Sequence, residues 1–246
     1  EAGAGSFKKI SLELGGKNPN LVFADADLEA AVAGSVRSSF ANQGQVCLCG
    51  SRILVERSAY HRFVESLVAA AAKLKVGDPL EPVTDQGAIV SKAQLAKVQS
   101  YVEVAKQEGG IIALGGAAPT KISERCAGGY FHQPTIITGL SPDCRVNREE
   151  IFGPVVTVTP FDSLDDAIRM ANCVDYGLSA SVWTTNLNTA HQAAERIQAG
   201  TIWVNCWLLR DLRVPFGGMK QSGVGREGGD EAMRFFTEAK NVCIKL

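Results

Sequence analysis

The stretch Val155–Asn205, VVTVTPFDSLDDAIRMANCVDYGLSASVWTTNLNTAHQAAERIQAGTIWVN, decides the fold. Val155–Thr159 is a short β-branched run and reads as a strand. Leu164–Cys173 carries apolar residues at helical spacing, and Leu178–Thr184 returns to strand character. Asn188–Ile197 is helical again, and Thr201–Asn205 closes the series as a further strand. Strands joined through single helices of this length pair in parallel, with the helices packed on the sheet. The predicted fold class is therefore α/β: a three-layer, twisted, mostly parallel sheet with helices on both faces.

The rest of the chain continues the alternation. Lys9–Leu14 reads as a strand ending in Gly15-Gly16, and Asn20–Phe23 as a second one. Asp27 is the predicted N-cap of a helix reaching Phe40, and Ser58 and Ser91 cap helices running to about Leu74 and Gln107. Asn42–Gly50 is a turn rich in glycine and cysteine ahead of the strand Arg52–Glu56. Ile111–Leu114 and Thr135–Ile137 supply further strands. A helix over Asp230–Glu238 and a strand over Asn241–Leu246 end the chain, the strand being expected to pair outside its own domain.

Composition narrows the function. The 246 residues are 46% hydrophobic and 21% charged, ordinary for a globular protein, with a formal net charge of −1. That balance gives no basic field for nucleic acid or an anionic membrane. No apolar run approaches the ~20 residues that span a bilayer. Seven cysteines without C-x-x-C pairs suggest a reducing, cytoplasmic setting, and three widely spaced histidines suggest no metal site. The start at Glu1, without methionine, reads as the interior of a longer chain.

Three stretches carry chemistry: Leu12-Glu13-Leu14-Gly15-Gly16-Lys17, Asn42-Gln43-Gly44-Gln45-Val46-Cys47, and Glu149-Glu150-Ile151-Phe152-Gly153-Pro154. Each alone is a turn, a buried thiol or a solvated helix start. In this order, and followed by Pro215-Phe216-Gly217-Gly218 and Gly223-x-Gly225-Arg226-Glu227, the set resembles the aldehyde dehydrogenase superfamily. The resemblance runs from Ile10 to Leu246. It implies that Cys47 is the nucleophile and Glu13 the base that activates water. Cys49, the rival thiol, falls where the family usually has alanine.

The chemistry accounts for these residue types. A thiolate attack makes the aldehyde carbon tetrahedral, hydride then leaves, and the resulting thioester needs a carboxylate-activated water. By the resemblance, the Cys47 N–H donates to the oxyanion, and a second donor lies upstream of Glu1. Glu150 contacts the nicotinamide ribose and Phe152 packs by the ring, while Gly15 and Gly16 let backbone approach the nicotinamide. Gln94 and Lys97 align weakly with another ribose pair and read better as an exposed helix face. Glu227 matches a carboxylate linked to proton exit, or else a buried partner of Arg226. The cofactor is NAD or NADP, with NAD favoured.

The loop Asn205-Cys206-Trp207-Leu208-Leu209-Arg210-Asp211-Leu212-Arg213-Val214-Pro215-Phe216 lies where the family lines its substrate mouth, and is similar to that of 2-aminomuconic and 2-hydroxymuconic semialdehyde dehydrogenases. Arg210, Arg213 and Phe216 are the expected substrate contacts, the arginines gripping a carboxylate. A betaine-aldehyde or general aliphatic enzyme is the alternative, although a cationic mouth repels trimethylammonium. Outside the class stand a cysteine hydrolase built on Cys47 and Glu13, and a non-catalytic oligomerisation module. The expected layout is residues 1–17 as the tail of a dinucleotide-binding domain, 18–228 as the catalytic domain, and 229–246 as a helix and oligomerisation strand of a homodimer or homotetramer. The chain alone is expected to fold without activity.

Overall fold

Parallel pairing organises the centre of the molecule. The computed structural model describes residues 3–246. The first half of the chain runs β1 (Leu12–Glu13), β2 (Pro19–Val22), α1 (Leu28–Phe40), β3 (Arg52–Glu56), α2 (Tyr60–Ala71), α3 (Lys92–Gln107), β4 (Ile111–Leu114) and β5 (Thr135–Thr138). The second half runs α4 (Arg145–Arg148), β6 (Val155–Phe161), α5 (Leu164–Asn172), β7 (Tyr176–Gly177), β8 (Ser179–Trp183), α6 (Leu187–Arg196), β9 (Thr201–Val204), β10 (Met219–Lys220), β11 (Gly223–Val224) and α7 (Gly229–Phe236). Seven strands form one sheet in the order β4-β5-β6-β3-β2-β8-β9, in which only β4 is antiparallel to its neighbour.

Successive residues of the central strands point to opposite faces, as the pleat requires. Val22, Ile53 and Val55 pack with Phe40, Phe63 and Leu67 of α1 and α2. Leu21 and Leu54 face the other way, against Ile168 and Met170 of α5 and Ala193 of α6. These side chains are buried on both faces, so helices cover both sides of the sheet and the predicted three-layer class holds.

Helix starts follow the side-chain chemistry. The Asp27 carboxylate accepts from the Ala30 N–H and the Ser91 hydroxyl from the Gln94 N–H, so both predicted caps hold. The Ser58 cap does not: its hydroxyl turns to Glu56, and the helix begins one residue later behind Ala59. One strand is also corrected: of Lys9–Leu14 only Leu12–Glu13 is paired, against Gly223–Val224. Among the described residues Asn241–Leu246 pairs with no strand of this chain.

One buried cation ties the layers together. Arg52, 2% exposed, donates to Lys17 O at 2.9 Å and to Met170 O and Ala171 O at 2.8 Å each. The last two carbonyls belong to the final turn of α5, where a cation suits the helix end. Arg52→Leu strands three buried carbonyls and should destabilise the chain by about 2–4 kcal/mol in denaturant unfolding. A midpoint within about 0.5 kcal/mol of the parent would show that the guanidinium is dispensable.

Candidate active site

The three motif segments arrive at one place because each immediately precedes one of three adjacent parallel strands. Gly15–Lys17 leads into β2, Cys47–Cys49 into β3 and Glu150–Phe152 into β6, and the sheet sets these strands side by side. The site therefore lies at the N-terminal edge of the strands. Open α/β sheets usually bind ligands at the opposite, carboxyl edge.

The loop that carries Cys47 is held in an unusual backbone. Asn42, Gln43 and Gly44 follow one another at φ of 49°, 57° and 67°, in the left-handed region. A Cβ on Gly44 would come within 2.2 Å of Gly153 O, so only glycine fits. The motif's own amides hold the bend. Asn42 donates to Gln45 O at 3.1 Å, Gln43 donates to Ala88 O at 3.1 Å, and Gln45 accepts from the Val90 N–H at 3.1 Å.

Asn18, buried at the head of β2, clamps this loop to β2 and β8. Its Nδ2 donates to Cys47 O at 2.7 Å and Cys49 O at 2.9 Å, and its Oδ1 accepts from the Ser179 N–H at 3.1 Å. Trp207 Nε1 adds a bond to Leu48 O at 2.9 Å. Cys47 is half-buried against an apolar wall of Trp203, Trp207 and Phe216.

Electrostatics separates the two thiols. Burial pushes the Cys47 thiol up from its ordinary value and the Glu13 carboxylate adds to that, while the backbone N–H groups of Cys47 and Leu48 favour the thiolate. Cys49, more deeply buried, is pushed up to about 12 by burial, which makes it the poorer nucleophile. The Glu13 carboxyl is itself raised by burial and by Glu227, against the pull of a Gly218 backbone bond, Arg226 and Arg210. Cys47 and Glu13 thus lie within electrostatic reach of each other, although one is in the loop before β3 and the other on β1.

Glu150 also acts on the Cys47 thiol, and Phe152 follows it in the approach to β6. Glu150 Oε1 accepts the Gly16 N–H at 2.9 Å, and a Cβ on Gly15 would fall 2.3 Å from Glu150 Oε2. The two glycines therefore seat a carboxylate. Phe152 sits at φ 58°, and Gln94 Nε2 braces that turn by donating to Ile151 O and Phe152 O at 2.8 Å each. Gln94 is thus not on an exposed helix face; it is half-buried because it reaches back under the β6 approach.

At the mouth, the Arg210 guanidinium lies 4.0 Å from the centre of the Phe216 ring. Arg213 is exposed and tied to Asp211, which leaves it outside this group. Glu227 is exposed and makes no ion pair with Arg226 among the described residues; Arg226 instead donates to Gly218 O and Gly225 O. The buried-pair reading of Glu227 is therefore wrong, because backbone carbonyls have already taken the guanidinium.

Residues 1–242 match the aldehyde dehydrogenase family. The chain belongs to that family. It is 50% identical over 246 residues to a 2-aminomuconic semialdehyde dehydrogenase of Danio rerio, covering 100% of this chain and 50% of that protein. It is 49% identical over 245 residues to a 2-hydroxymuconic semialdehyde dehydrogenase of Pseudomonas putida, again covering 100% and 50%. A betaine aldehyde dehydrogenase from Staphylococcus aureus, solved with NAD+, superposes with a TM-score of 0.90 at 40% identity, over 94% of this chain and 45% of that one. The chain thus spans about half the length of the curated relatives it matches.

Within this aldehyde dehydrogenase chain the fold brings together Glu13, Cys47, Gly15, Gly16, Glu150, Phe152, Arg210 and Phe216, and leaves Arg213 aside. Asn18 escaped the sequence reading. Its signal was a polar side chain before Pro19, at the head of a strand buried on both faces, where it must find bonds inside. Because Glu13 raises the Cys47 thiol, Glu13→Gln should lower it and speed iodoacetamide alkylation of Cys47 at pH 7.5 by several-fold, with Cys49 unlabelled in both. Slower alkylation in the variant would instead make Glu13 the base that deprotonates the thiol.

Proposed function

We propose that the full-length protein carrying this chain oxidises an aldehyde to a carboxylic acid, the substrate being a semialdehyde that bears its own carboxylate. The observation that carries this is the half-buried Cys47 sulfur sharing a site with the Glu13 carboxylate beside an apolar wall. The Cys47 thiol gives its proton to water, and the thiolate sulfur forms a bond to the aldehyde carbon as the carbonyl opens to an oxyanion, to which the Cys47 N–H can donate. Bound NAD+ or NADP+ would supply the two-electron acceptor for the hydride that leaves this carbon as the Cys47 thioester forms. The Cys47 thioester remains. Glu13 then takes a proton from water, the water oxygen attacks the thioester carbon, and the carbon–sulfur bond breaks to return the thiolate and release the acid.

The residues fit a nicotinamide ribose. Glu150 offers acceptor oxygens at the edge of the site, the absence of a Cβ at Gly15 leaves room for it, and Phe152 supplies an aromatic wall. We assign residues 1–17 to the tail of a dinucleotide-binding domain, 18–228 to catalysis and 229–246 to assembly as a homodimer or homotetramer in the cytoplasm. On this reading the chain alone is inactive. No helix among the described residues is long and apolar enough to cross a membrane.

Arg210 is assigned the substrate carboxylate. Stacked on Phe216 and acting on Glu13, it puts a guanidinium fork beside the reacting groups. A trimethylammonium aldehyde would meet that charge and be repelled. Arg213, held by Asp211, contributes less.

Cys47→Ser should abolish oxidation, and near-parental turnover would sink the nucleophile assignment. Glu13→Ala should give one burst of NADH in stopped-flow and then stall; loss of the burst would move Glu13 to thiol activation. Arg210→Met should cost about 2–3 kcal/mol, roughly 30- to 150-fold in kcat/KM, for a carboxylate-bearing semialdehyde and little for a neutral aldehyde. An equal loss on both substrates would make Arg210 a support of the loop.

A further inference from the structure

Lys17 stands under the site, and the chemistry above gives it no role. It is 1% exposed, and its Nζ has no hydrogen-bond partner among the described residues. Buried ammonium groups ordinarily find acceptors, because leaving water unpaired is costly. Lys17 follows directly on the Gly15-Gly16 step where Glu150 is seated. Glu150 is half-buried, and none of the ion pairs within 4.0 Å among the described residues includes it. Charged or titratable groups reach the amine from three elements: Arg52 of β3, Lys97 of α3, and Glu150 and Cys144 from either side of α4. Glu150 is the one carboxylate among them.

We propose that Lys17 is a positioning residue that acts through Glu150, its ammonium holding the carboxylate on the Gly16 N–H in the pose that meets the cofactor ribose. This rests on the reading of Glu150 as a ribose contact. The attraction works across a gap because the medium between the two groups is poorly polarisable. Burial, with Arg52 adding to it and Glu150 opposing, drives the amine down from 10.5 to about 7. The grip is therefore full in acid and lost as pH rises through about 7.

Two measurements on the full-length protein test this. Lysine-selective NMR should find the Lys17 amine titrating near pH 7, with the midpoint falling by about one unit in Glu150→Gln. A midpoint unmoved by that substitution contradicts the inference, and this arm does not depend on any Lys17 variant folding. Calorimetry should show that Lys17→Met weakens NAD+ binding about tenfold at acid pH and hardly at all at alkaline pH, with the effect absent in the Glu150→Gln background. An equal loss at both pH values and in both backgrounds would mark a merely structural lysine and overturn the proposal. If the midpoint moves but Glu150→Gln leaves NAD+ affinity unchanged, the coupling stands and the ribose reading of Glu150 falls.

Discussion

The carboxamide of Asn18 joins three segments that the chain keeps far apart. Two of its bonds take carbonyls on either side of Leu48, and the third takes the backbone of β8. A loop with three successive left-handed residues stores strain and persists only where its surroundings over-determine it. Asn18 supplies that determination from one side, and the amides of Asn42, Gln43 and Gln45 supply it from within the loop. The position of the Cys47 sulfur relative to Glu13 therefore depends on the start of β2, not on the loop alone.

The same arrangement keeps the Cys47 thiol protonated at rest. A thiol half-buried against tryptophans and next to a carboxylate holds its proton, while the N–H groups of Cys47 and Leu48 wait beside the sulfur. Negative charge on sulfur or on a bound oxygen is favoured by those donors and disfavoured by Glu13. A cation arriving beside the sulfur tips that balance toward thiolate. The fold thus couples the readiness of Cys47 to whatever charge enters the site.

The α/β class was legible because strands buried on both faces leave near-continuous apolar runs, such as Val155–Thr159, between helices with recognisable caps. The pairing of the terminal strand was not. Asn241–Leu246 has the right alternation, but strand formation is decided by a partner, which lies outside any local window. Motif order singled out Glu13, Cys47 and Glu150. The contacts of Asn18 and Gln94 and the burial of Lys17 were not legible, because they come from the neighbour relation β6-β3-β2, which no spacing along the chain encodes. Arg210 and Arg213 both carried the expected carboxylate grip, Arg210 first; Asp211 takes Arg213, and the Phe216 ring receives Arg210.

The claim on which the rest depends is that Cys47 forms a covalent bond to substrate carbon and that Glu13 is needed to break it. Peptide mapping by mass spectrometry tests this directly, using full-length Glu13→Gln protein quenched in acid after mixing with aldehyde and NAD+. The account predicts one acyl group per chain, on the peptide containing Cys47 and Cys49, fragmenting to Cys47 and absent from Cys47→Ser. Acylation at Cys49, or an unmodified peptide after product has formed, would contradict it.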